Sequence, residues 1–255
     1  MGSSAKDLFL KPLTQIRDTT PASSRTISKV SLIEETYAVF RAASQGLPLS
    51  DVRTSILKSD ARGTGMSNLV DWGRKLREAV EQIKTRYDQI GWKTGAPFLA
   101  VVYPPEAEPA VFKEWRTLTG GLGSEFNIRT IDVLKVTRSA IEELGCENIL
   151  SAIASPMPGS NPETELGHMW VMAVAQKVRE AFSQSSGAKI VVVLECLTAL
   201  YPATGPEAMM QALWENGYSG IEGPVIVLIT GTLIERRVFV FVDQREESMY
   251  RGDIL

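Results

Sequence analysis

The sequence predicts an α/β protein: a mostly parallel sheet flanked by helices, preceded by a small helical unit. Three observations carry that expectation. First, the apolar runs FLAVVY at 98–103, IVVVLE at 190–195 and PVIVLITG at 224–231 have strand length and read as strands covered on both faces. Second, amphipathic stretches of ten residues or more separate the expected strands, as the crossover helices of βαβ units require. Third, residues 31–94 show helical periodicity and no run of that kind.

Residues 1–30 are rich in Ser, Thr and Pro without a clear period and are expected to form an N-terminal arm. A helix is expected from Ser31, because Ser31 and Glu34 have capping-box spacing and Leu32, Tyr37, Ala38 and Phe40 follow at helical intervals. Gly46 and Pro48 end it, and Ser50 caps a short helix carrying Val52, Ile56 and Leu57. After the polar break SDARGTGMS, Ser67 opens a long helix that runs to Ile90 and stops at Gly91. Leu69, Val70, Leu76, Val80, Ile83, Tyr87 and Ile90 fall on one side of it, and Arg74, Lys75, Arg77, Lys84 and Arg86 on the other.

The α/β part is expected over 95–255. Pro109–Leu118 reads as a helix with Val111, Phe112, Trp115 and Leu118 as its apolar stripe. FNIRTIDVL alternates and reads as a second strand, and Ser139–Ile153 as a helix interrupted near Gly145. SPMPGSNPE is an exposed loop. Glu163–Phe182 is a helix whose face holds Leu166, Met169, Trp170, Ala173, Val174, Val178, Ala181 and Phe182. PEAMMQALWENG is a helix with a glycine stop, RRVFVFV is the last strand, and a polar tail follows.

Hydrophobic residues make up 44% of the chain and charged residues 22%, enough apolar material for a sizeable core. No apolar run approaches the ~20 residues of a membrane span, and the first thirty residues lack a signal-peptide core. The two cysteines, Cys146 and Cys196, read as buried free thiols, so a cytoplasmic location is expected. Residues 1–94 hold 15 basic and 10 acidic side chains, a net of +5, whereas 95–255 hold 12 and 20, a net of −8. That asymmetry implies two parts with different partners, set against the plainer reading of a chance imbalance.

Chemistry-bearing patterns are sparse. The loop after FLAVVY stands where many nucleotide-binding domains carry a phosphate loop, yet it holds Pro104, Pro105, Glu106, Glu108 and Pro109. Prolines lack the N–H that cradles a phosphate, and carboxylates repel one. G-x-x-x-x-G-K-[ST] occurs nowhere, and the glycine-rich TGGLGSEF precedes a strand instead of following one. IVVVLE ends in Glu195 and PVIVLITG in Thr230–Gly231, an acid-ended strand and a sensor-like strand as in P-loop ATPases. Strand ends reach water and carry acids for that reason alone, so the expected frame is P-loop-like without a phosphate loop. His168 is the only histidine, no G-x-S-x-G elbow exists, and no metal-ligand spacing is found. Asp243, Glu246 and Glu247 read as a solvated exit. No cofactor is expected.

PFLAVVYPPEAE resembles the opening of the BrxB proteins of BREX bacteriophage-defence systems. ALYPATGPEAMMQALWENG, GPVIVLITGT and YRGDIL resemble that family's closing half. The matching positions, within residues 95–255, are Pro97, Phe98, Tyr103, Pro105, Glu106, Tyr201, Pro202, Leu213, Pro224, Gly231, Tyr250 and Arg251. Where the family has a tyrosine–proline–glycine step, this chain has Ile229–Thr230–Gly231. LIEETYAVFRAASQGLPLSDVRTSIL resembles the opening of BrxA, the small helical partner associated with DNA binding.

The resemblance implies a non-catalytic adaptor whose partners are phosphatase-like and ATPase components of a defence complex. The residues expected to contact partner proteins are Tyr103, Pro105, Glu106, Glu108, Tyr201, Trp214, Tyr250 and Arg251. Trp115 is a further aromatic that could serve either the core or an interface. A DNA-binding alternative rests on Arg53, Lys58, Arg62, Arg74, Lys75, Arg77, Lys84 and Arg86, set against the plainer reading of a solvated basic face. A third alternative is an unorthodox nucleotide-binding enzyme around Glu195, Thr230 and the 103–109 loop.

Overall fold

The structure is a computed structural model that describes residues 71–184, 187–215 and 221–255. The expected arm, the Ser31 and Ser50 helices and the start of the long helix at Ser67 lie outside the described residues.

Helix α1 spans Trp72–Arg86. Asp71 caps it, its side chain accepting from Arg74 N at 2.9 Å. Leu76, Ala79, Val80 and Ile83 recur at helical spacing and are buried. A 3₁₀ turn at Tyr87–Gln89 follows, and then Gly91 at φ +71, where any Cβ would run into the Ala96 carbonyl. Glycine is therefore required at this reversal. Strand β1, Phe98–Tyr103, is buried along its whole length, as a strand covered on both faces must be. Helix α2, Glu108–Gly120, carries Pro109 in its first turn, where the missing N–H costs nothing.

Strand β2 is Phe126–Asp132 and helix α3 is Val133–Leu144. The chain turns helical six residues before the expected start at Ser139, because Asp132 accepts from Lys135 N at 3.3 Å and caps the helix there. Gly145, at φ +80, separates α3 from α4, Cys146–Ala154. Helix α5, Pro162–Ser183, leads to β3, Lys189–Glu195. Helix α6, Pro206–Glu215, leads to β4, Val225–Glu235. The expected polar tail is structured: β5, Val238–Phe241, β6, Arg245–Ser248, and β7, Asp253–Ile254, follow in turn.

Five strands form a parallel sheet in the order β2-β3-β4-β1-β7. Phe98–Tyr103 of β1 runs in register with Val225–Thr230 of β4. Beyond Thr230, β4 continues out of the parallel layer and pairs antiparallel with β5, which pairs with β6. Gly231 permits the turn-over, since a Cβ there would collide with the Val240 carbonyl across the ladder.

Helices α1 and α2 cover one face of the sheet. Leu76, Val80, Ile83, Val111, Phe112 and Trp115 pack with Leu99, Val101, Val191, Val193, Ile226 and Leu228. The alternate strand residues Ala100, Val102, Val192, Leu194, Val227 and Ile229 point to the other face and are equally buried. Among the described residues, those of 71–140 and 163–255 make one compact unit, and those of 141–162 group apart from it. Helix α1 thus belongs with the sheet.

Candidate functional site

In open parallel sheets the natural site for a ligand is the crevice at the carboxyl ends of strands that lead off in opposite directions. Here those strands are β1 and β4. The chain leaves β1 through α2 towards β2 at one edge, and leaves β4 through the β5–β6 hairpin towards β7 at the other. A tyrosine fills this place. Tyr103 is fully buried, and its hydroxyl accepts from Thr230 Oγ1 at 3.1 Å. Its ring meets Phe112 edge-on, with centroids 6.3 Å apart. Burial, reinforced by the nearby Glu108 carboxylate, holds the phenol well above its ordinary pKa, so it stays protonated. Pro104 and Pro105 follow directly and present no N–H.

Glu195, at the end of β3, receives both its hydrogen bonds from Arg116 Nη2, at 3.1 and 3.3 Å. The Arg116 guanidinium also lies 5.9 Å from the Phe112 centroid. The acid-ended strand, the sensor-like strand and β1 are therefore neighbours. Their end residues are engaged: Glu195 by Arg116 from α2, and Thr230 with Tyr103.

A second place is open. A cleft of about 310 Å³ lies between α6 and the segment Ser248–Arg251, with Phe98 also lining it. Glu207, Met210, Gln211, Trp214 and Glu215 form its helical wall, at the spacing of one helix face. Arg251 lays its guanidinium over the Trp214 ring at 4.3 Å, and Tyr250 beside it is 78% exposed. Arg237 Nη1 donates to the Tyr250 carbonyl at 2.6 Å and holds that wall in place.

Beside this cleft, α6 and β6 exchange carboxylates. Glu247 Oε2 accepts from Glu207 N at 2.9 Å and so caps the helix from outside. Glu207 in return accepts from Ser248 N and Ser248 Oγ, both at 3.2 Å. Gly205 makes room, since a Cβ there would strike the Glu247 carboxylate. Glu247 is only 3% exposed. Arg245 Nε approaches its Oε1 at 3.3 Å without hydrogen-bond alignment. Burial, with the Glu207 charge adding to it, outweighs that capping bond and Arg245, and pushes the Glu247 pKa up to about 7.

The residues expected to contact partners fall into three groups. Tyr103 and Glu108 are buried and are not surface residues. Pro105 and Tyr201 are half-buried, Tyr201 with its ring 6.5 Å from Phe241, and Glu106 is exposed. Trp214, Tyr250 and Arg251 come together in the cleft. Glu207 and Glu215 were not expected there, although the row 207, 210, 211, 214, 215 is a helix face that the sequence displays. Trp115 belongs to the core. Cys196 is buried as expected, whereas Cys146 is exposed.

On α1, Arg74, Arg77, Lys84 and Arg86 are exposed, but acids interleave them and Arg74 pairs with Glu78 at 3.1 Å. Lys75 departs from the expected basic face. It is buried, donates to the Leu255 carbonyl at 2.7 Å, and has its pKa lowered chiefly by burial. Arg53, Lys58 and Arg62 lie outside the described residues. Among the described residues, no group of three or more His, Cys, Asp or Glu side chains is placed to hold a metal ion, and no helix is long and apolar enough to cross a membrane. No family model, curated protein or solved structure matches the chain.

Proposed function

We propose that the chain is a non-catalytic adaptor that docks partner proteins through its α/β unit, in an antiphage complex of the BREX type. The observation that supports this reading best is the convergence of Trp214, Tyr250 and Arg251 on one open cleft. Aromatic residues and arginine are enriched at protein interfaces: the rings offer large rigid contact area at small entropic cost, and the guanidinium offers several donors on a plane that also stacks. The crevice between β1 and β4, the usual ligand position, holds Tyr103 instead. The resemblance of residues 95–255 to BrxB, which includes Tyr250 and Arg251, supplies the phosphatase-like and ATPase partners.

The test is co-purification of the tagged chain with the products of its neighbouring genes. Recovery of a partner in fixed proportion is expected. Tyr250→Ala removes a largely exposed ring, so it should leave the unfolding midpoint unchanged and cut partner recovery about ten-fold. A chain that always purifies alone overturns the adaptor reading. Undiminished recovery with Tyr250→Ala moves the docking surface away from the cleft.

A further inference from the structure

We propose that the cleft between α6 and Ser248–Arg251 receives a basic segment of the partner, with an arginine side chain taking the position on Trp214 that Arg251 now holds. This inference rests on reading the cleft as a docking surface. The charge of the cleft selects the ligand. Two carboxylates, Glu207 and Glu215, stand at the two ends of its helical wall, and among the described residues Arg251 is the one cation in the lining. Eight helical steps set the two residues about 12 Å apart along the helix axis, room for three or four residues of extended chain. Met210 and Trp214 stand between them on the same face, where the methylene stem of a long basic side chain can lie.

The Trp214 face already binds a guanidinium, at 4.3 Å. A planar, weakly hydrated guanidinium stacks on an indole better than other cations, so arginine suits the position better than lysine. An anionic ligand would pair with Arg251 but would face Glu207 and Glu215, and it would need Arg251 to leave the ring. A cation meets both carboxylates and replaces like with like. Residues 95–255 carry a net charge of −8, which draws a basic partner from a distance. Arg251 thus competes with the incoming side chain: the chain occupies its own docking site until a partner displaces it.

The test is calorimetry on the full chain with three acetylated, amidated pentapeptides: Ala-Ala-Arg-Ala-Ala and its citrulline and glutamate counterparts. Competition makes a distinctive prediction. Arg251→Ala should bind the arginine peptide at least five-fold more tightly than the wild type does. Citrulline, the same shape without the charge, should bind at least ten-fold more weakly than arginine. Trp214→Ala in the Arg251→Ala background should lose the binding. If that double variant does not fold, Glu215→Gln in the same background, an exposed change, should weaken binding two- to four-fold. Weaker binding by Arg251→Ala, or preference for the glutamate peptide, would make Arg251 a receptor for anions and overturn the proposal. Absence of heat at millimolar arginine peptide with Arg251→Ala overturns it as well. Peptide binding by a chain that co-purifies with nothing would keep the site and end the adaptor reading; the reverse result would keep the adaptor and end this inference.

Discussion

Trp115→Ala is expected to lower the unfolding free energy by about 3–5 kcal/mol, the range for removing a large aromatic side chain from a packed core. Trp115 is 1% exposed and sits among Leu76, Val80, Ile83, Leu99, Val101 and Val111, where α1 and α2 meet the sheet. Its indole Nε1 makes no hydrogen bond in the structure, so the truncation removes packing alone and leaves no polar group stranded. Urea titration of the variant at pH 7 measures the loss directly. Trp115→Phe keeps most of the volume and should cost well under half as much. A loss under ~1 kcal/mol for the alanine variant would mean that α2 is not docked on the sheet. Any fall in partner recovery with Trp115→Ala should follow the unfolded fraction, unlike the fall expected for Tyr250→Ala.

Glu247→Gln is expected to stabilise the protein above neutrality and to flatten its pH dependence. The Glu247 carboxyl titrates near 4.5 when free and at about 7 in the folded chain. Between those values the folded state binds more protons than the unfolded state. Stability contributed by this group is therefore full below pH 4.5 and falls as pH rises towards 7. A shift of that size corresponds to about 3 kcal/mol at most. Glutamine retains a carbonyl oxygen for the Glu207 N–H and needs no charge in a site where Glu207 is the opposing acid and Arg245 approaches without hydrogen-bond alignment. At pH 8 the variant should gain about 2–3 kcal/mol over the wild type, and at pH 4.5 the two should nearly coincide. Urea midpoints at the two pH values decide it. Equal slopes for both proteins would show that Glu247 ionises at an ordinary pH.

Strong local patterns foretold most of the fold. FLAVVY, IVVVLE and PVIVLITG are buried strands because uninterrupted apolar runs have no other stable placement. The segments the pattern misplaced are those whose structure is set from a distance. Strand β6 reads Arg-Glu-Glu-Ser and β7 is two residues, so neither has a period of its own. Pairing with β5 and β1 makes them strands. Lys75 looked like one of a basic row, and only the return of the chain at Leu255 explains its inward course. At the site, aromatic and arginine residues pointed to Trp214, Tyr250 and Arg251, but sequence gives no means of separating them from Tyr103. Tyr103 ends a strand and Tyr250 and Arg251 closely follow one, and depth in the fold, which separates them, is a property of the whole assembly.

The strand order also bears on how the protein is made. Tyr103 lies opposite Thr230, 127 residues later, and β1's other neighbour, β7, comes later still. At about 5–20 residues per second, a ribosome needs roughly 6–25 s to deliver β4 after β1 has emerged. For that time the six apolar residues of β1 have neither of their lasting neighbours, and a segment of that composition is prone to pair with another nascent chain. Yield in the cell should therefore depend on elongation speed between β1 and β4 and on chaperones that shelter β1 meanwhile.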